Sequence, residues 1–287
     1  MKVLRQDSRR WLLLALLYCL AQAASRLVLH GPALGLDEAE AFWFARDLAA
    51  GYNTQPPLYF WMQWLVFQLV GDSLAGLALL KALVLWAAAA LVFALIRAAF
   101  PGAVAGPAML ALVLLPEFSW EAQRALTHTP LAVVLAVAMV WMFYEALARG
   151  RTRDFLLFGL VLGLAALSKH NSWLLLLALV LAGLLTPAGR AGLSRPHWLA
   201  SMAVAAAVMA PYLRWVLANP ATATSGLAEF SAEAAPVSVT ALVAERALAL
   251  ASLLESLAGF FLLIALVLGL PWLLHRRQLH WPRDGLS

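Results

Sequence analysis

Polar side chains that could do chemistry are few in this chain, because 64% of its residues are hydrophobic and only 12% are charged. They concentrate in GLDEAE at 35–40, TQPP at 54–57, EFSWEAQRALTHTP at 117–130 and SKHN at 168–171. A carboxylate can accept a proton during a reaction, and cations can stabilise a developing anion. The candidate site residues are Asp37, Glu38, Gln55, Arg124, His128, Lys169 and His170.

The acidic segment also predicts a helix. Asp37 can cap its first turn, and Glu40 can complete a capping box three residues later, with the helix continuing to about Ala50. Pro57 favours the start of a second helix. These assignments account for Asp37 and Glu40 but give Glu38 no structural partner.

The other candidates have structural interpretations as well. Lys169 can extend from a helix end into water, and Arg124 can pair with a nearby glutamate. His128 and His170 can lie at a membrane interface without any chemical role. A functional site is favoured because ionisable groups close to a membrane are costly.

The composition excludes a soluble domain. The mean hydropathy is +0.84 over 287 residues, and the charged fraction is far below that of soluble proteins. Apolar runs of about 15–24 residues recur along the chain, which is the length scale of a membrane-spanning helix. Because these runs do not alternate, helices are favoured over a β-barrel. The sequence predicts an all-α polytopic membrane protein with a single domain over 1–287.

The arginines predict how the chain crosses the membrane. Basic residues before the first apolar run favour a cytoplasmic N-terminus, although a cleavable signal peptide is an alternative interpretation of that run. With about eight spans, every inward-facing connection contains arginine, and most acids fall outside the cytoplasm. The predicted spans are 11–24, 73–96, 103–116, 129–147, 155–168, 172–187, 198–216 and 252–274.

The first extracytoplasmic loop, 30–72, is expected to carry two amphipathic helices at the membrane interface. The apolar piece 57–71 is too short to span comfortably, and its aromatic residues suit the interface. A second outer loop, 217–250, is expected to cover part of the site. Lys81 lies inside a predicted span, where its side chain is expected to reach towards the interface, and it is assigned no role.

Several other function classes are disfavoured. The isoelectric point near 9.8 reflects basic connections between spans, so no nucleic-acid partner is predicted. Cys19 is a lone thiol in an apolar run and is interpreted as a packing residue. The spacing of His and acidic residues gives only weak support for a metal site, so no cofactor is predicted and a divalent cation stays an unsupported alternative. A phosphate-binding glycine loop is also missing from the sequence.

Four segments resemble a known family. They are LDEAEAFWFARDLAAGY at 36–52, QPPLYFW at 55–61, LTHTPLAVVLAVAMVWMFYEAL at 126–147 and GLVLGLAALSKHNSWLLLLAL at 159–179. Together they are similar to the polyprenyl-phosphate-dependent glycosyltransferases of the GT-C fold, family 39. That family includes the protein O-mannosyltransferases and the lipid A aminoarabinose transferase. The chain differs from the usual pattern at Thr54, Gln55 and His128.

The resemblance implies an enzyme of the bacterial inner membrane with an extracytoplasmic active site. It implies transfer of a sugar, with inversion, from a polyprenyl-phosphate donor to a lipid, glycan or protein acceptor. Asp37 matches the first-loop acid of the family, which activates or orients the acceptor. Glu38 is expected to help place the acceptor or to act on Asp37 through its like charge. Lys169 and Arg124 are expected to hold the phosphate. Hydrogen bonds are expected from Gln55, His128 and His170.

Two other classes of function remain open. The chain could be a non-catalytic subunit that binds a lipid carrier or a partner protein. It could also be a small transporter, but the sequence has no pair of broken-helix repeats and no ionisable residue at mid-span. Assay with polyprenyl-phosphate sugars separates the enzyme from the non-catalytic subunit.

Overall fold

The computed structural model describes residues 2–29, 31–100, 104–115, 117–121, 127–225 and, apart from 249 and 253, 246–255. The chain forms two compact units, Met1–Gly226 and Leu227–Ser287. In the second unit, the described residues between 246 and 255 are helical. The predicted outer loop 217–250 and the predicted span 252–274 lie largely outside the described residues.

Every regular element in the described part is a helix, which confirms the all-α class. A 3-10 helix over Ala111–Leu114 and a π-helical turn over Glu117–Glu121 follow the fifth α-helix. The α-helices are α1 Lys2–Leu29, α2 Leu36–Phe44, α3 Leu58–Val70, α4 Leu74–Ala99, α5 Ala105–Leu110, α6 His128–Arg149, α7 Thr152–Ser168, α8 Ser172–Leu184, α9 Pro187–Leu193, α10 Trp198–Ala218 and α11 Pro220–Ala223.

Four helices among the described residues are long and apolar enough to cross a membrane. They comprise Ser8–Leu29 in α1, Leu74–Ala98 in α4, His128–Arg149 in α6 and Trp198–Ala218 in α10. The predicted spans 155–168 and 172–187 form the shorter helices α7 and α8. The membrane character of the chain is therefore established, while the count of eight spans stays a prediction.

The central core is built where α2, α3, α4, α6, α7 and α10 meet. Its largest fully buried side chains include Tyr59, Phe60, Phe158 and Leu162. Helix α1 packs along α4 through smaller residues, among them Cys19, which is 1% exposed. Because α1 and α4 lie side by side, side chains near their ends can meet across the contact.

Glycines allow α7 and α10 to approach closely. A β-carbon added at Gly159 would lie 2.4 Å from the carbonyl oxygen of Ser201, and one at Gly163 would lie 2.8 Å from Cβ of Val208. Ser201 also donates a hydrogen bond of 2.8 Å to the carbonyl oxygen of Phe155. Small residues at the contact are typical of helix packing in membranes.

Helix α2 begins two residues earlier than predicted. Gly35 is the N-cap, and Glu38, not Glu40, occupies the third helical position, where it accepts a hydrogen bond of 3.2 Å from the Gly35 backbone N–H. The assignment of Asp37 as the cap was therefore wrong. The helix also ends at Phe44, well before the predicted end near Ala50. A local pattern of acids did not distinguish between two registers of the same motif.

Candidate functional site

Asp37 lies in the first turn of α2 with a half-buried side chain. Within the described residues its carboxylate makes no hydrogen bond or ion pair. It lies close enough to Tyr59, Glu40 and Lys81 for the charges of these groups to interact. A partly accessible carboxylate at a helix start is chemically suited to accept a proton from a bound hydroxyl group.

Glu38 differs from Asp37, because its carboxylate is 1% exposed and both of its oxygens accept hydrogen bonds. Arg26 Nη2 donates to Oε2 over 2.7 Å, and Lys81 Nζ donates to Oε1 over 3.0 Å. Burial alone would raise the pKa of Glu38. The hydrogen bonds from Arg26 and Lys81 and the charge of Lys81 outweigh burial, so the pKa lies below its ordinary value.

The expectation that Lys81 reaches the interface was wrong, since its side chain is 1% exposed. Arg26, at the end of α1, is 4% exposed. Neither residue was a predicted site residue. The signal in the sequence was a charged side chain within or beside an apolar run, together with a nearby glutamate that had no assigned partner.

The loop between α2 and α3 is folded onto α2. The Asn53 side-chain amide donates a hydrogen bond to Glu40, and Asn53 Oδ1 accepts one of 2.9 Å from the Gln55 backbone N–H. The Trp61 indole N–H donates to the Ala49 carbonyl oxygen over 2.7 Å. The side chain of Gln55 is half-buried at this loop. These contacts keep the QPP segment beside the acidic helix.

Burial raises the pKa of Glu40 above its ordinary value. The hydrogen bond from Asn53 opposes this effect and the charge of Asp37 adds to it. Glu40 and Glu38, two residues apart on the same helix, are therefore shifted in opposite directions. The cause is their partners, since Glu38 faces two cations and Glu40 faces an amide and another carboxylate.

The SKHN turn reaches the same loop from the other side. Thr54 presents its carbonyl oxygen 3.1 Å from His170 Nε2, so the protonated Nε2–H of that imidazole can donate to it. His170 itself is exposed. The structure thus brings His170 to the residue that precedes Gln55. This contact joins two segments that are 116 residues apart in the sequence.

Lys169 lies at a cavity of about 170 Å³. Its ammonium donates a hydrogen bond of 3.0 Å to Thr129 Oγ1. The hydroxyl of Ser172, which also lines the cavity, has no hydrogen-bond partner among the described residues. The other walls are largely apolar and include Val133, Ala136 and Leu175. A cation beside hydroxyl groups at the end of an apolar cavity can receive an anionic head group that carries a hydrocarbon chain.

His128 is buried between aromatic rings at the start of α6. Its ring centroid lies 5.1 Å from that of Tyr59 and 4.8 Å from that of Phe60. Both ring nitrogens of His128 and the Tyr59 hydroxyl lack hydrogen-bond partners within the described part of the chain. Lys169 is near enough for its charge to act on His128. His128 thus lies between the region of Asp37 and Tyr59 and the cavity of Lys169.

A second cavity of about 120 Å³ adjoins the first across Thr129 and Val133. Leu85, Leu112 and Phe118 contribute to its apolar lining. Arg124, the remaining predicted site residue, falls outside the described residues. No cluster of three His, Cys, Asp or Glu side chains in the described ranges could hold a metal ion.

The family model described as dolichyl-phosphate-mannose-protein mannosyltransferase matches residues 54–215 of this chain. That range contains Gln55, His128, Lys169 and His170 but begins after Asp37 and Glu38. It covers more than half of the 287 residues. No solved structure matches the chain.

Two curated relatives from Rhizobium johnstonii are similar over most of this chain. The lipopolysaccharide core galacturonosyltransferase RgtA is 34% identical over 215 residues, which cover 74% of this chain and 43% of the relative. The lipopolysaccharide core galacturonosyltransferase RgtB is 32% identical over 209 residues, which cover 72% and 42%. The chain spans less than half the length of these relatives.

Proposed function

Since the chain belongs to the dolichyl-phosphate-mannose-protein mannosyltransferase family, we propose that it transfers a sugar from a polyprenyl-phosphate donor to an acceptor. The reaction takes place at the extracytoplasmic face of the bacterial inner membrane and inverts the anomeric carbon. The chain crosses this membrane about eight times, with its N-terminus in the cytoplasm. The acceptor is a lipid, a glycan or a protein.

The observation that carries this proposal is the cavity beside Lys169. The Lys169 cation, the hydroxyl groups and the apolar walls of this cavity suit a phosphate that is esterified to a long hydrocarbon chain. The negative charge of such a phosphate is stabilised by a fixed ammonium group in a site of low dielectric constant. A soluble nucleotide sugar would have no use for the apolar walls.

In the proposed reaction, Asp37 accepts the proton of an acceptor hydroxyl as its oxygen attacks the anomeric carbon. The bond between this carbon and the phosphate oxygen breaks, and the polyprenyl phosphate leaves with the electron pair. Attack from the face opposite the leaving group gives inversion. Lys169 and Arg124 stabilise the phosphate, so the leaving group needs no proton donor. Gln55, His128 and His170 supply hydrogen bonds.

In this scheme, Glu38 does not contact the acceptor directly. Its carboxylate is buried and its two oxygens bind Arg26 and Lys81. An acceptor would have to displace a cation to reach it, which is costly in a buried site. Glu38 therefore acts through its neighbours, and Asp37 is the carboxylate that meets the acceptor.

The test is reconstitution of the protein into liposomes with polyprenyl-phosphate sugars. Because both curated relatives are named galacturonosyltransferases, a polyprenyl-phosphate galacturonic acid is the first donor to test, followed by neutral-sugar donors. The expected result is release of polyprenyl phosphate that depends on an added acceptor and is lost in Asp37→Asn. Absence of turnover with every donor, alongside retained donor binding, would favour a non-catalytic carrier-binding subunit.

The proposed orientation has its own test. Single cysteines replace Leu36, which is 87% exposed, and Asn171, which is exposed. An impermeant thiol reagent added to intact spheroplasts should label both positions. Labelling only after lysis would place both segments on the cytoplasmic side and overturn the extracytoplasmic site.

A further inference from the structure

Three charged side chains from separate parts of the fold meet in a buried cluster, here called the triad: Arg26, Glu38 and Lys81. Their exposed fractions are 4%, 1% and 1%. Arg26 binds Glu38 through two nitrogens, Nε at 3.3 Å and Nη2 at 2.7 Å, while Lys81 binds it at 3.0 Å. Charges are expensive to remove from water, so a buried cluster of this kind requires an explanation.

The triad connects the helix that carries Asp37 to two long helices. Arg26 is in the last turn of α1, Lys81 is in the second turn of α4, and Glu38 is in the first turn of α2. Arg26 also donates to the carbonyl oxygens of Gly31, at 3.0 Å, and Ala33, at 2.7 Å. The guanidinium group therefore fixes the whole connection between α1 and α2.

Asp37 depends on this connection for its position. It is adjacent to Glu38 in a helix of only nine residues, and its own side chain has no bond within the described residues that would hold it. Its charge interacts with Lys81. A shift or rotation of α2 would therefore move the Asp37 carboxylate, and a displacement of about 1 Å can lower a reaction rate by 10²-fold.

We propose that Arg26, Glu38 and Lys81 are positioning residues that fix the orientation of α2 and thereby the place of the Asp37 carboxylate. The kinetic part of this inference rests on the proposed transfer reaction. The geometric part does not, since it concerns only where α2 lies relative to α4. The two parts are tested by separate measurements on the full-length protein.

The kinetic measurement compares Glu38→Gln with the double variant Glu38→Gln/Lys81→Met in liposomes with the donor and acceptor. The single variant leaves two buried cations without their carboxylate, and kcat per folded molecule should fall at least tenfold with less than a threefold change in the donor KM. The double variant removes one of those cations and should recover part of the loss. A role in folding alone would lower the yield of folded protein but leave kcat per folded molecule unchanged.

The geometric measurement needs no substrate. Spin labels on Leu36→Cys and Ala75→Cys, both exposed positions, report the distance between α2 and the start of α4, while buried Cys19 stays unlabelled. The wild-type background should give one narrow distance distribution, and Glu38→Gln should broaden or shift it. Where Glu38→Gln does not fold, the double variant and Arg26→Lys take its place, and each should broaden the distribution.

Asp72→Asn is the matched control, because it breaks an ion pair to Arg46 in which both side chains are nearly half exposed. It should change neither the distance distribution nor kcat by more than twofold. An unchanged distribution in all triad variants would overturn the inference even if the wild type transfers sugar. A broadened distribution in a protein that transfers no sugar would support the geometric part and reject the proposed function instead.

Discussion

The triad around Glu38 and the cavity beside Lys169 both contain buried or half-buried charge, but they differ in how that charge is matched. Glu38 lies between two cations and is closed to solvent, whereas Lys169 has a neutral hydroxyl as its hydrogen-bond partner among the described residues. A matched charge fixes structure, because moving either member is costly. A cation without an anion beside an open cavity can instead receive one from a ligand.

The same contrast separates the neighbours Asp37 and Glu38. Both were predicted site residues, yet only Asp37 keeps an accessible carboxylate. One residue along a helix turns a side chain by about 100°, so consecutive acids face different surroundings. The pair DE therefore contains one acid that is buried and paired with cations and one acid that stays accessible.

The largest expected effect concerns Asp37. We expect Asp37→Asn to lower kcat about 10³-fold, because an amide cannot accept the acceptor proton. The unfolding temperature should stay within about 2 °C, since the carboxylate has no bond to lose within the described residues. Activity is measured as release of polyprenyl phosphate in liposomes. Asp47→Asn, the same exchange at an exposed position in the same loop, should retain wild-type activity; retention by Asp37→Asn as well would remove the distinction between the two acids.

The next largest effect is expected at Lys169, the cation beside the cavity. We expect Lys169→Met to lower kcat/KM for the donor about 10²-fold, because the phosphate loses the charge that stabilises it in the transition state. Lys169→Arg should retain an intermediate activity, since it preserves the charge but not the geometry. Arg153→Met, at an exposed position, serves as the control for loss of one positive charge. Equal losses in Lys169→Met and Arg153→Met would show that the effect is not local to the cavity.

The stability of the protein in acid tests the role of Glu38, whose charge is paired with two cations. The pKa of Glu38 is lowered on folding. Its contribution to the free energy of unfolding is therefore complete above the unfolded pKa, about 4.3. This contribution is lost as the pH falls through the folded pKa. The unfolding temperature in detergent should therefore fall as the pH is lowered below about 5. In Glu38→Gln/Lys81→Met this drop should be smaller. An identical pH dependence in both proteins would contradict the assignment.

Glu40 provides a control of opposite sign for that measurement. Its pKa is raised on folding, so ionisation above the unfolded pKa lowers stability. We expect Glu40→Gln to raise the unfolding temperature at pH 7, because the substitution removes a half-buried carboxylate whose ionised form the fold disfavours. A lower unfolding temperature at pH 7 would show that its ionised form is needed by Asn53.

The smallest effect is expected at the exposed ion pair Arg46–Asp72. Its nitrogen and oxygen atoms are 3.7 Å apart, and the side chains are 46% and 44% exposed. Asp72→Asn should lower the free energy of unfolding by less than about 0.5 kcal/mol, because such pairs are screened by water and salt. Chemical denaturation provides the measurement. A loss comparable with that in a triad variant would mean that burial does not distinguish the two ion-pair sites.

Local patterns predicted much of the fold. The apolar runs 73–96 and 129–147 became α4 and α6. Apolar length is a property of a short window of sequence, which sequence reasoning handles well. The predicted helix through Ala50 ended early because the chain turns back at that point, where Trp61 bonds to Ala49.

The site was predicted less completely. The loop before α3 and the SKHN turn do meet, through Thr54 and His170. Lys81 was given no role because it was interpreted only within its own apolar run, and Arg26 was not singled out. Their partner Glu38 is 12 and 43 residues away.

The sequence by itself determined that this chain is a helical membrane protein and where its rare polar groups occur, because hydrophobic length and composition are additive along the chain. Only the tertiary structure decided which of those groups neutralise each other and which stay available. Pairing depends on the packing of α1 against α4 and on the rotation of α2 between them. A one-residue change of register would place Asp37 where Glu38 now meets the two cations, and no local pattern fixes that register.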